Sequence, residues 1–135
     1  MKSAQEVVKT MYDGDAFSQW LGIEVEKTEP GYCRLSMKVR EEMTNGFKIA
    51  HGGISYSLAD SALAFASNGH GVHALSIETS ISHLKAVKTG QKITAEAKEV
   101  HKSKSLGVYE VKVHADNEVL IAHFKGTVYR KNTEW

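Results

Sequence analysis

The residues with the most chemical potential in this sequence fall in one stretch: Asn45, the run His51-Gly52-Gly53, and Asp60. The run stands directly before a segment of helical period, so Gly52 and Gly53 would open a helix. The first turn of a helix leaves backbone N–H groups unpaired at its electropositive end, and glycine puts no side chain in front of them. Such an end can hold an oxyanion, although glycine near a helix cap is also ordinary helix-start chemistry. Asp60 sharpens the reading. It is the sole acid between Glu42 and Glu78, it sits among Leu58, Ala59, Ala62 and Leu63, and no Lys or Arg occurs from Ala50 through Glu78. Aspartate is a poor helix-interior residue, and an uncompensated buried carboxylate is costly. A solvated helix face, or a distant partner such as Arg34 or Lys85, would account for it without function. A partly desolvated carboxylate is also what a general base or nucleophile requires.

Gly53 and Asp60 are seven residues apart, so they share a helix face but stand roughly 10 Å apart at about 1.5 Å of rise per residue. One aspartate side chain cannot reach a carbonyl held at its own helix start. If both groups act on one carbon, the site spans a subunit interface, with Gly52 and Gly53 from one chain and Asp60 from another, and a two-fold dimer holds two equivalent sites. Asn45 and His51 flank the loop and could orient a water, a substrate oxygen or the helix start itself. The other histidines are scattered, with no H-E-x-x-H or C-x-x-C pattern, so no metal is expected. No G-x-S-x-G, Walker or Rossmann glycine pattern occurs either. Lys85, Lys88 and Lys92 cluster near one turn and Lys102 and Lys104 at the next. Solvated strand-edge lysines are the ordinary explanation, and a local phosphate grip is the functional one.

The elements that must position these groups follow from periodicity. Ser3 with Glu6 forms a capping box before Val7, Val8, Met11 and Tyr12, predicting a short amphipathic helix that ends near Gly14. Phe17, Trp20 and Leu21 form an apolar patch, and residues 1–21 read as an N-terminal helical segment. Residues 23–27 and 32–39 alternate about the turn Glu29-Pro30-Gly31, a hairpin. Residues 40–53 read as a loop. Ile54, Leu58, Ala62 and Phe65 recur at helical spacing with small residues between them, predicting a buried helix over residues 54–67. Four strands follow at residues 74–84, 92–100, 106–115 and 119–130; in the last, Ile121 and His123 should face opposite to Ala122 and Phe124. The class is α+β: an antiparallel sheet of five or six strands curled round one central helix.

Composition narrows the partners. A chain of 135 residues with 17 Lys+Arg, 16 Asp+Glu and a net charge of +1 fits one domain spanning residues 1–135, with no broad field for nucleic acid or an anionic membrane. Cys33 is the only cysteine, and no long apolar run suggests a secretion signal or membrane span. These point to a reducing, cytoplasmic setting.

Residues 45–53 (Asn45 through Gly53), followed by Leu58-Ala59-Asp60-Ser61-Ala62, resemble the signature of hotdog-fold acyl-CoA thioesterases of the phenylacetate-degradation (PaaI-like) subfamily. Residues 76–80 and 84–90 resemble the next strand and turn, and the likeness covers roughly residues 15–130. The resemblance implies a helix wrapped by an antiparallel sheet, dimers paired into tetramers, and thioester hydrolysis at the dimer interface. Carried over, Asp60 is the general base or nucleophile, and the Gly52 N–H, with Gly53, polarises the carbonyl. Asn45 and His51 position water or the helix start. Ser61, Ser76, Lys85 and Lys88 are the candidate substrate-binding residues, Ser76 at the edge of the site. No cofactor is implied, since coenzyme A is part of the substrate. Ala86 stands where relatives often have proline, which bears on the phosphate-side loop. The expected activity is release of free acid and CoA from an aryl-acetyl or aryl-carboxyl thioester. Phe17, Trp20, Phe47 and Tyr56 are candidates for the acyl wall, each read first as a core residue. A hotdog hydratase or dehydratase and an acyl-CoA-sensing module are the competing readings.

Overall fold

Ser3 accepts from the Glu6 N–H while the Glu6 carboxylate accepts from the Ser3 N–H, so the capping box starts helix α1 (Ala4–Asp13) in the computed structural model, which describes residues 1–135. The apolar patch that follows is itself a helix, α2 (Ala16–Leu21), started by Asp15 and ended at Gly22, whose φ of 75° only glycine adopts freely. Strands β1 (Glu24–Glu29) and β2 (Tyr32–Lys38) form the expected hairpin. A 3-10 turn (Glu41–Met43) interrupts the loop before helix α3 (Gly52–Asn68). Then come β3 (Val72–His83), β4 (Lys92–Lys102), β5 (Leu106–Ala115) and β6 (Val119–Glu134).

All neighbours pair antiparallel in one six-stranded sheet of order β1-β2-β4-β5-β6-β3. Its concave face holds α3, with Leu58, Ala62, Leu63 and Ala66 fully buried against Leu35, Ala95, Val111 and Phe124. Gly126 permits this closeness, because a Cβ there would stand 2.5 Å from Leu63 Cδ2. The sheet does not enclose the whole helix, which corrects the expectation of a helix buried on nearly every side. Gly53, Ser57, Asp60, Ser61 and Ala64 form a stripe that is exposed or half-buried. The reason is geometric: six strands curl round one side of the helix, and the short α1 and α2 cover only part of the other.

The last strand also departs from simple alternation. Ile121 and Ala122 are both buried, because an irregularity opposite Val113/His114 shifts the register there. The bulged Ile121 carbonyl accepts from the N–H groups of Leu84 and Lys85 at 2.8 and 3.3 Å, which anchors the segment carrying Lys85.

The two sheet edges differ. Gln5 of α1 donates to the Thr28 carbonyl of β1, so that edge is partly covered. The outer edge of β3 has no partner strand and exposes Leu75 and Ile77. At the far end of α3, buried Asn68 donates to the carbonyls of Ala64 and Ala74 and accepts from the Ala74 N–H and Trp135 Nε1. Asn68→Ala removes the side-chain partner of the Ala74 N–H and carbonyl and of Trp135 Nε1, and urea titration should show unfolding free energy falling by about 2–4 kcal/mol. No helix is long and apolar enough to cross a membrane.

Candidate active site

The start of α3 is built from the loop before it. The Asn45 side-chain oxygen accepts from the N–H groups of Phe47 (2.9 Å) and Ile49 (3.4 Å), closing a turn that puts Lys48 at a φ of 64°. The Ala50 N–H donates to the Val87 carbonyl at 2.7 Å and the His51 N–H to the Met43 carbonyl at 2.8 Å. Asn45 therefore shapes the loop that delivers the helix start. His51 is the cap residue: its Nδ1 accepts from the Gly53 N–H at 2.8 Å.

That bond divides the two glycines. The Gly53 N–H is already engaged by His51, which corrects the expectation that it stands free. The Gly52 N–H donates to no group in the chain. Gly52 faces a cavity of about 340 Å³ that it shares with Asn45, Ser55, His83 and Lys85. His83 lies closest: a Cβ on Gly52 would stand 3.1 Å from its Nε2, and its Nδ1 is 3.5 Å from Ser55 Oγ. Sequence reasoning missed His83 and Ser55 here. Only the folding of β3 back along α3 brings residue 83 to residue 52, and no local spacing encodes it.

Asp60 lines a different cavity, of about 250 Å³, with Phe17, Tyr56, Ser61 and Phe65 among its walls. Neither proposed structural partner reaches it. Arg34 pairs with Glu26 at 3.0 Å, and Lys85 lies in the Gly52 cavity. No hydrogen bond or ion pair holds the Asp60 carboxylate within the chain, although the residue faces outward. The protein packed beside it and the nearby Asp15 charge both push its pKa above the ordinary aspartate value. Tyr56 stands one turn earlier on the same face, edge-on to Phe124 and hydrogen-bonded through its hydroxyl to Thr79. Neither cavity contains both Gly52 and Asp60. Within one chain the two groups are kept apart, as the helix rise implies.

The other candidates separate. Ser61 joins Asp60, and Lys85 joins Gly52. Ser76 lies exposed on the open edge strand β3, and Lys88 lies exposed in the turn before β4; neither lines these two cavities. The expectation that Phe17, Trp20 and Phe47 are core residues is overturned: they are 54%, 52% and 85% exposed. Phe17 and Trp20 stack on α2 beside a groove that includes His51, Gly53 and Ser57. Arg40 holds them there, donating to the carbonyls of Leu21 and Trp20 at 3.1 and 2.7 Å and lying over the Trp20 ring. The two rings thus form an exposed apolar rim beside the helix start.

The arrangement can supply an oxyanion donor at Gly52 and a proton acceptor at Asp60, which are the two parts that acyl transfer to water needs. The chain as a whole is similar to known proteins. The family model described as "Thioesterase superfamily" matches residues 47–122, more than half of the chain. The acyl-coenzyme A thioesterase PaaI of Escherichia coli K12 is 34% identical over 120 residues, covering 89% of this chain and 86% of its own. Human acyl-coenzyme A thioesterase 13 is 31% identical over 113 residues, covering 82% and 81%. The solved structure of the E. coli PaaI protein from the phenylacetic acid degradation operon superposes with a TM-score of 0.94 at 32% identity, covering 97% of this chain and 95% of that one. With a family match over more than half its length and relatives of this similarity across most of it, the chain belongs to the thioesterase superfamily, as a PaaI-like member with the hotdog fold.

Proposed function

We propose that the protein hydrolyses an acyl-CoA thioester to free acid and CoA, at sites formed between two copies of the chain, and that it prefers aryl-acetyl or aryl-carboxyl groups. The observation that carries this reading is the pair of complementary unpaired groups, the Gly52 N–H at the start of α3 and the Asp60 carboxylate two turns along its open stripe. The names of the E. coli and human relatives support the substrate class.

In the reaction, Asp60 takes a proton from water as the water oxygen bonds to the thioester carbon. The carbonyl electron pair moves to oxygen, where the Gly52 N–H stabilises the charge. Collapse of the tetrahedral intermediate breaks the C–S bond, and the thiolate of CoA leaves and takes up a proton. Hydrolysis of this kind draws on water, the Asp60 carboxylate and the Gly52 N–H, so no cofactor enters. Lys85, beside Gly52, and Lys88 in the following turn offer charge to the phosphates of CoA. The stacked aromatics of α2 and Tyr56 favour a flat acyl group over a long chain.

The unpaired β3 edge, with Leu75 and Ile77 exposed, is the surface through which a second copy completes the site. Pairing of such dimers gives the tetramer. A reducing, cytoplasmic setting suits the single buried Cys33.

A thiol-release assay over phenylacetyl-, 4-hydroxybenzoyl-, acetyl- and palmitoyl-CoA tests the reading. The aryl substrates should show the highest kcat/KM. No release from any of the four would contradict the activity, and palmitoyl-CoA as the best substrate would contradict the aryl preference.

A further inference from the structure

Four serines of α3 have partners resolved for their hydroxyls, and three of them bond their own helix. Ser55 donates to the Gly52 carbonyl at 3.2 Å, Ser57 to Gly53 at 2.7 Å and Ser67 to Ala64 at 3.2 Å, the usual destination for a serine within a helix. Ser61 turns away from its helix instead. Its Oγ lies 2.8 Å from Oγ of Ser18, which is 1% exposed on α2. Ser18 is tied in turn to Asp15: its N–H donates to Oδ1 at 2.9 Å and its hydroxyl to Oδ2 at 2.6 Å.

The direction of this chain follows from proton counting. An ionised carboxylate only accepts, so the single Ser18 hydroxyl proton goes to Asp15. Ser18 then has only lone pairs to offer Ser61, and the Ser61 proton is committed to Ser18. What Ser61 presents to the cavity it shares with Asp60 is an acceptor. Ser57, which opens onto the same cavity, has also spent its proton, on its own helix. A water molecule has two protons to donate. With one on Asp60 and the other on Ser61, its two lone pairs are left free on the side away from these acceptors, outward from α3, toward the side from which a thioester held by the other subunit arrives.

We propose that Asp15, acting through Ser18, fixes Ser61 as a hydrogen-bond acceptor, so that Asp15 and Ser18 are positioning residues for the water that Asp60 activates. The inference rests on the hydrolytic role of Asp60 proposed above. It also gives the short helix α2 a task, since α2 carries both positioning residues.

Asp15→Asn tests it with little change of shape. Asparagine caps a helix about as well as aspartate, so its Oδ1 can still accept from the Ser18 N–H. Its Nδ2 donates to the Ser18 hydroxyl, which reverses the chain and turns the Ser61 proton into the cavity. Measured on the pH plateau where Asp60 is ionised, kcat should fall about 5- to 30-fold while KM stays within about two-fold. Ser61→Ala should give a similar loss, Ser61→Thr should retain activity, and Asp15→Asn placed on Ser61→Ala should add no further loss. Unchanged kcat in Asp15→Asn, or losses that multiply in the double variant, would overturn the relay while leaving the role of Asp60 standing. A crystal structure reads the same point without turnover: an ordered water bonded to both Asp60 and Ser61 is expected in the parent and not in Asp15→Asn, and its absence from the parent would overturn the proposal even if Asp60→Asn abolishes activity.

Discussion

Asp60→Asn should lower kcat by about 10²- to 10⁴-fold, the range associated with removing a positioned general base, with KM for the acyl-CoA changed far less. Asparagine keeps the volume and the hydrogen-bonding reach of the side chain but cannot take the proton from water. Stability should move the other way. Burial and then the Asp15 charge raise the pKa of Asp60 in the folded chain, so at neutral pH the ionised carboxylate is less favourable there than in the unfolded chain. Asp60→Asn removes that penalty, and its Tm at pH 7 should equal or exceed the parent's. The same shift fixes the sign of the pH profile: kcat should fall as pH drops through the raised pKa, because only the ionised form accepts a proton. Loss of activity together with a lower Tm would assign Asp60 a structural role instead.

Gly52→Pro should cost about 10² to 10³ in kcat, the loss expected when one oxyanion donor is removed. Proline deletes the one N–H at this helix start that has no partner in the chain, and the site tolerates it locally. Gly52 is the first residue of α3, where proline fits, and His51 before it has the extended backbone (ψ 138°) that a following proline requires. The new ring meets His83, which is exposed at the end of β3 and has room to turn. Gly52→Ala is the matched control, because it places a Cβ against His83 but keeps the N–H. Retained activity in Gly52→Ala and loss in Gly52→Pro would assign the effect to the N–H alone. Equal loss in both would assign it to crowding of His83.

Much of the frame was legible in the residues. The capping box of Ser3 and Glu6, the alternating strands and the helical spacing of Ile54, Leu58, Ala62 and Phe65 are local signals, and local signals survive folding. The separation of Gly53 from Asp60 was legible too, because helix rise is fixed. The misses have two causes, contacts between distant segments and one local rotamer. The burial of Phe17 and Trp20 depends on what α2 packs against, and α2 rests on the rim of the helix-start groove, where nothing in this chain covers those rings. The approach of His83 to Gly52 and of Asp15 to Ser61 comes from distant segments meeting, and neither leaves a pattern along the chain. The engagement of the Gly53 N–H by His51 turns on one side-chain rotamer, which His-Gly-Gly alone does not specify.

The central claim is that each active site takes Gly52 from one subunit and Asp60 from the other, and subunit complementation tests it most directly. Asp60→Asn and Gly52→Pro chains, each nearly inactive alone, are unfolded, mixed in equal amounts and refolded together, then assayed for thiol release. A mixed dimer contains one site with both lesions and one with none. Random pairing makes half the dimers mixed, and each of those has one working site of two, so activity should return to about one quarter of the parent's. Activity that stays at the level of the two variants alone would contradict the account, because it would place both groups of a working site in the same chain.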